Sequence, residues 1–425
     1  FSILVVVLKV IAVSTTSLNL YGDEAQYWLW SKNLAFGYYS KPPLLPWLIR
    51  LFGLIAGDTF FAIKLIPISL YCITSYLVFV FVKKLWHNQL LAFYCAITFF
   101  LLPSVSLSSF LLSTDILLIL LWTAGLIQIL NIKENPSLLG FIALGLIIGF
   151  AFLAKYAAIY FIISLIYFII IEKKFRFIFL QSKLNLLCFC LTVTLILLPN
   201  ILWNYQNSWA TLDHTSSNVS LNKIKLNFIG CIEFLLSQIV MVGPILFIGF
   251  VYYFKNNTRA VFREKLLISF SLPTLVIVLI ESLLVRAHAN WAAVSLVSLS
   301  ILFVGILYQL NKNVIKINIY FNLAIGILLF VMIGINFPLS VFDRIKGTKD
   351  LAKYLENKNK SNIQNIVVSD RLLFANLSYE YFSTKKIFYS PHAPGTKIGN
   401  HFQLKNSLPN DFSQNFILIG NLKEI

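Results

Sequence analysis

The side chains best suited to chemistry in this chain are a few acids and cations set in an otherwise apolar sequence. Asp23 and Glu24 stand side by side in Tyr21-Gly22-Asp23-Glu24-Ala25-Gln26-Tyr27-Trp28-Leu29-Trp30, followed by Gly37-Tyr38-Tyr39-Ser40-Lys41-Pro42-Pro43-Leu44-Leu45-Pro46-Trp47. A carboxylate pair can supply a general base; on this stretch alone, two acids that merely cap an aromatic helix explain the pattern equally well. Ser113-Thr114-Asp115 opens another apolar run, where a cap is again the plainer account. Lys155, in Phe152-Leu153-Ala154-Lys155-Tyr156, is an isolated cation between two apolar runs that can snorkel outward or meet a phosphate. In Arg286-Ala287-His288-Ala289-Asn290-Trp291 the guanidinium can bind phosphate oxygens and His288 can donate a hydrogen bond or a proton, although such segments more often anchor at an interface. Asp213 and His214 are two metal-ligand types without a third at ligand spacing, which is weak evidence for a metal.

The elements that must position these groups follow from composition. Of 425 residues, 58% are hydrophobic and 12% charged, which excludes a soluble multidomain enzyme. A bilayer-spanning helix needs roughly 20 apolar residues, so the apolar part, ending near Pro338, has room for about eleven spans. Apolar runs lie near 2 to 20, 58 to 82, 89 to 106, 113 to 131, 137 to 154, 156 to 171, 184 to 202, 227 to 254, 266 to 285, 291 to 310 and 317 to 338. The chain opens at Phe1 already apolar, so its first run reads as a trimmed span. Thirteen Lys and Arg residues fall in one alternate set of short loops (Lys83, Lys84, Lys133, Lys173, Lys174, Arg176, Lys183, Lys255, Arg259, Arg263, Lys265, Lys312 and Lys316). Seven (Lys32, Lys41, Arg50, Lys155, Lys223, Lys225 and Arg286) are spread over the longer segments of the other set. The positive-inside rule makes the first set cytoplasmic and turns the segment 21 to 57 and the tail after 338 toward the periplasm or exterior. The formal charge of +17 then belongs to loops and lipid headgroups and not to a nucleic-acid partner. Cys72, Cys95, Cys188, Cys190 and Cys231 all sit in apolar runs, with neither redox nor zinc spacing.

The chain thus divides into a membrane part, 1 to 338, and a tail, 339 to 425. In the tail, short apolar runs at Ile363 to Val368, Lys386 to Tyr389 and Phe416 to Gly420 alternate with helix-like stretches at Thr348 to Leu355 and Leu372 to Phe382, the pattern of a small α/β domain. In the membrane part, the candidate acids and cations come from separate segments yet share the exterior side. Carboxylates and phosphate-binding cations at headgroup depth fit a transfer reaction whose donor is a lipid phosphate. No Gly-rich nucleotide loop accompanies them.

The run from Asp23 to Trp47 resembles the first periplasmic loop of the GT-C polyprenyl-phosphate-sugar glycosyltransferases, in the dolichyl-phosphate-mannose protein mannosyltransferase-like and aminoarabinose-transferase-like group. Thr114-Asp115 before a span, Gly149 to Tyr156 ending in a lysine, and His288 to Trp291 match in the family's order, so that the resemblance covers about residues 1 to 340. It implies an all-α polytopic fold with interfacial periplasmic helices and a small soluble C-terminal α/β domain. It also implies Asp23 as catalytic aspartate with Glu24 beside it, Asp115 as a second active-site acid, and Lys155 at the donor phosphate. Lys41 and Arg286 are expected to add positive charge there, and Tyr27, Tyr39, His288, Asn290 and Trp291 to contact substrate. Relatives often carry an acid just before Pro-Pro where this chain has Ser40-Lys41, which leaves a divalent metal possible and no cofactor certain.

The expected activity is inner-membrane transfer of a sugar from a polyprenyl-phosphate donor, with inversion, to a periplasmic acceptor: lipid A, a glycan or a protein. Two alternatives stay open. A flippase of lipid-linked sugars would place ionisable groups near the bilayer midplane in two repeated halves, and a surface-polysaccharide ligase or polymerase would share the exterior site.

Overall fold

A computed structural model describes residues 2–218, 226–256, 261–338, 340–359, 361–392 and 395–420. The loop cations Lys223, Lys225 and Arg259 lie outside the described residues. Five helices are long and apolar enough to cross a bilayer: Phe60–Trp86, Thr114–Glu134, Lys183–Gln206, Phe262–Leu284 and Lys312–Gly334. A sixth crossing forms if Tyr156–Ile171 and Lys173–Leu180, bent by 114° at Glu172, make one span. Shorter apolar helices, Ile3–Thr15, Gln89–Leu101, Leu138–Ala154, Phe228–Val242 and Ser295–Leu310, pack among them. The chain is a mostly helical, multi-pass membrane protein. Two runs that read as single spans are broken. The run 89 to 106 stops at Leu102 because Pro103 starts a new short helix, Pro103–Ser108. The run 227 to 254 breaks at Gly243, whose φ of 97° ends one helix before Pro244 opens the next.

One helix shows how the apolar pattern is divided between lipid and protein. On Lys183–Gln206, Leu184, Leu187, Leu191, Leu195, Leu198 and Leu202 recur every three or four residues and are exposed, a stripe that only hydrocarbon accommodates. The same helix meets the glycines of Leu138–Ala154. A Cβ on Gly145 would lie 2.8 Å from Thr192 and one on Gly149 2.8 Å from Ile196. This Gly-x-x-x-Gly seam draws the two backbones together and fixes the end of Leu138–Ala154, where the helix stops and Lys155 takes an extended conformation.

Above the bundle lie helices Gly22–Lys32 and Leu44–Ala56, on either side of Pro42-Pro43. The tryptophans of the first helix are covered: Trp28 is 1% and Trp30 2% exposed. Tyr379 and Phe382 from the tail meet Trp28 edge-on at 4.7 and 4.8 Å. Its indole N–H donates to Asp58 at 3.1 Å. The tail itself contains a parallel sheet of β1 (Asn365–Val368), β2 (Ile387–Tyr389) and β3 (Phe416–Ile419) in the order β2-β1-β3. Its helix Arg371–Glu380, capped by Asp370, packs on Gly22–Lys32. The close approach is at Gly22, where a Cβ would come within 2.5 Å of Leu372 Cβ.

Candidate active site

Neighbouring residues on a helix point about 100° apart, and that angle separates the two acids of the first motif. Asp23 faces a cavity of about 570 Å³, whereas Glu24 turns into the bundle and is 1% exposed. Lys64 of the Phe60–Trp86 span donates to both Glu24 oxygens, at 2.8 and 2.6 Å, and to the Phe110 carbonyl at 2.9 Å. The Leu112 N–H adds a bond to Oε1 and the Tyr21 N–H one to Oε2, each 2.7 Å. Four hydrogen bonds from three donor groups saturate the carboxylate, so Glu24 has no lone pair to offer a substrate. It is a buried strut and helix cap, contrary to the expected catalytic place beside Asp23.

Three segments far apart in sequence meet at Asp115. Lys155 donates to its Oδ1 at 2.5 Å, and the Asn290 amide to its Oδ2 at 3.1 Å. The second residue of a span, the end of another and the Ala289–Ala292 turn are thereby tied around one carboxylate. The cap explanation for Asp115 gives way, because Ser113 makes no side-chain cap and Asp115 points to Lys155. Next to Lys155, the Tyr156 hydroxyl donates to Asn200 Oδ1 at 2.8 Å and accepts from Asn204 at 3.1 Å. Asn200 in turn holds the Phe36 carbonyl at 2.6 Å.

The cavity is lined by Asp23, Tyr27, Ser40, Lys41, Asp115, Lys155, Tyr160, His214, Glu281, Arg286, His288, Asn290 and Trp291, among others. Burial, reinforced by Lys155, lowers the Lys41 ammonium below the usual lysine range. Burial raises the Tyr27 phenol well above its ordinary value, with Asp23 and Asp115 adding to the effect. The His214 imidazole is lowered by burial and by Lys41 and Arg371. The site therefore joins acids and cations in one half-enclosed space at the end of the bundle that carries the tail.

A family model described as dolichyl-phosphate-mannose-protein mannosyltransferase matches residues 40–203. The chain is 27% identical over 417 residues to "Lipid A galacturonosyltransferase RgtD" of Rhizobium johnstonii, covering 95% of this chain and 86% of that one. Its fold is similar to ArnT from Cupriavidus metallidurans in the apo state, with TM-score 0.68 and 12% identity, covering 96% of this chain and 89% of that one. The same protein bound to undecaprenyl phosphate gives TM-score 0.67 and 12% identity, with 93% and 85% covered. The chain is similar to the GT-C glycosyltransferases of the aminoarabinose-transferase-like group.

Of the residues expected at the glycosyltransferase site, all but Glu24 and Tyr39 line the cavity. Tyr39 donates its hydroxyl to the Ile398 carbonyl at 2.8 Å and sets its ring against His214, so it fastens the tail to the loop. The Asp213-His214 pair divides: Asp213 meets Lys397 at 3.0 Å on the surface, and His214 lines the cavity. Two residues that join this cluster carry no motif role in the sequence. Arg371, from the tail, reaches Asp23 Oδ1 at 3.1 Å and Gln26 Oε1 at 2.9 Å. Glu281 lies near the end of an apolar helix with its buried Oε1 unpartnered among the described residues. Its signal was an acid in a span, which is costly unless it faces a polar cavity; Arg371 had no motif around it. As for a divalent metal, no three His, Cys, Asp or Glu side chains among the described residues gather in a ligand set. Asp115 and Asp23 each already face a cation, so the residues present do not fit a resident metal.

Proposed function

We propose that this glycosyltransferase moves a sugar from a polyprenyl-phosphate donor to lipid A on the periplasmic side of the inner membrane, with inversion at the anomeric carbon. The observation that carries this reading is the convergence of Asp23, Asp115, Lys155, Lys41 and Arg286 on one cavity. Lys155, Lys41 and Arg286 hold the donor phosphate and stabilise the charge it gains on leaving. Asp115 orients Lys155 through its 2.5 Å contact. Arg371 engages Asp23 Oδ1, leaving Oδ2 to accept the proton of an acceptor hydroxyl as that oxygen attacks the anomeric carbon. If the acceptor is a phosphate, already anionic, Asp23 orients it and takes no proton. The lipid A acceptor is favoured by the Rhizobium relative, which aligns with nearly the whole chain. The undecaprenyl phosphate bound to the Cupriavidus protein supports the donor class.

Loss of a general base typically costs about 10² to 10⁴ in rate. Reconstituted protein given labelled polyprenyl-phosphate monosaccharides and lipid A is expected to release free lipid phosphate only when acceptor is present, and Asp23→Asn to lower that release by this factor. Undiminished turnover in the mutant would remove Asp23 from the role of base. Movement of the lipid-linked sugar between leaflets without acceptor would point to a flippase.

A further inference from the structure

A second cavity, of about 630 Å³, lies between the first loop and the tail, and no step of the transfer reaction uses it. Its volume falls within the roughly 300–1,000 Å³ of small-molecule sites. Trp30 and Tyr38 form one wall, their rings stacked 4.6 Å apart at 4°, with His401 edge-on to Trp30 at 5.1 Å. Ser378, Lys386 and Lys405 line the side that belongs to the tail, and no acid is among the described lining residues. Lys386 already donates to the Ile363 carbonyl at 2.7 Å. Trp30 Nε1, Ser378 Oγ and His401 Nδ1 are buried without a hydrogen-bond partner. Asn33, Thr384 and Asn406 add polar side chains to the lining, which suits a ligand rich in hydroxyl groups. Burial, with Lys405 adding to it, lowers His401 to about 3, so its imidazole stays neutral and the lysines alone set the charge.

The place of this cavity says what such a ligand would belong to. Trp30 and the reaction-cavity residue Tyr27 lie one turn apart on the same helix, rings 5.6 Å apart, and Tyr38 and Ser40 divide between the two cavities in the same way. The two cavities stand back to back across Gly22–Lys32 and its loop. We propose that the second cavity binds an anionic sugar unit of the acceptor, next to the unit that receives the transferred sugar. This rests on the transferase reading for the ligand's origin, while the binding itself can be measured without turnover.

Full-length protein in detergent is titrated with glucose 6-phosphate, glucose and inorganic phosphate, read by saturation-transfer NMR and calorimetry. Glucose 6-phosphate is expected to bind at least tenfold more tightly than either of the others. Lys405→Ala and Trp30→Phe, with thermal unfolding checked for each, are expected to weaken it at least fivefold, whereas Asp115→Asn leaves it unchanged. Equal binding of inorganic phosphate would reduce the site to a surface anion contact and overturn the proposal. So would loss of binding in Asp115→Asn, which would place the sugar in the reaction cavity, or full binding in both second-cavity variants. Failed transfer alongside intact sugar binding would count against the transferase reading alone.

Discussion

Asp23 and Asp115 differ in what orients them, and the difference is testable. Asp115 is held by Lys155 and Asn290, both of which the motifs made visible in sequence. Asp23 is held by Arg371, which no motif marks. Arg371→Gln should lower kcat by about tenfold or more while changing the donor KM little, since the guanidinium contacts the acid and not the lysines proposed to hold the phosphate; a steady-state kcat and KM pair checks this. Lys41 gives a pH dependence with a definite sign. Its ammonium loses its proton below the usual lysine range, and only the charged form attracts phosphate, so donor KM should rise as pH climbs through that depressed value. Lys41→Arg, charged throughout, should flatten the profile. Glu24 is where a residue-by-residue reading of the sequence fails. Adjacency in sequence suggested shared chemistry, yet adjacent positions on a helix do not share a face, and the partner that claims Glu24, Lys64, lies 40 positions on within an apolar run.

Helices and strands were legible wherever one pattern decided them. The three tail strands fall inside the runs read from sequence, because short apolar segments between helix-like stretches leave little choice. The helix Gly22–Lys32 was also legible, but not its cover, since burial beneath Tyr379 and Phe382 depends on contacts about 350 residues away along the chain. Two predictions belong at this scale. Removing one member of the buried Lys64–Glu24 pair strands the other charge, and Glu24→Gln or Lys64→Met should each cost about 3 to 5 kcal/mol, whereas the double variant should recover much of that loss. Thermal unfolding in detergent measures all three. Gly22→Ala should push Leu372 outward and shift Arg371 from Asp23, lowering activity more than stability; crosslinking between the two helices together with the transfer assay reads both effects.

At the scale of the whole molecule, span counting misses what the backbone decides locally. Breaks at Leu102 and Gly243 are set by local backbone requirements that a sliding hydropathy pattern smooths over. The orientation argued from 13 loop cations predicts that, in a cysteine-free background, Lys353→Cys reacts with an impermeant maleimide in intact spheroplasts while Lys174→Cys reacts only after permeabilisation. The reverse pattern would turn the proposed site toward the cytoplasm. The Arg371 contact also bears on biosynthesis. Asp23 waits for a partner 348 positions downstream, so during membrane insertion most spans, with Lys41 and Lys155, are laid down before Arg371 emerges. A nascent chain would hold the proposed phosphate-binding lysines before Asp23 is oriented, and translation through Arg371 would decide when the reaction cavity is complete.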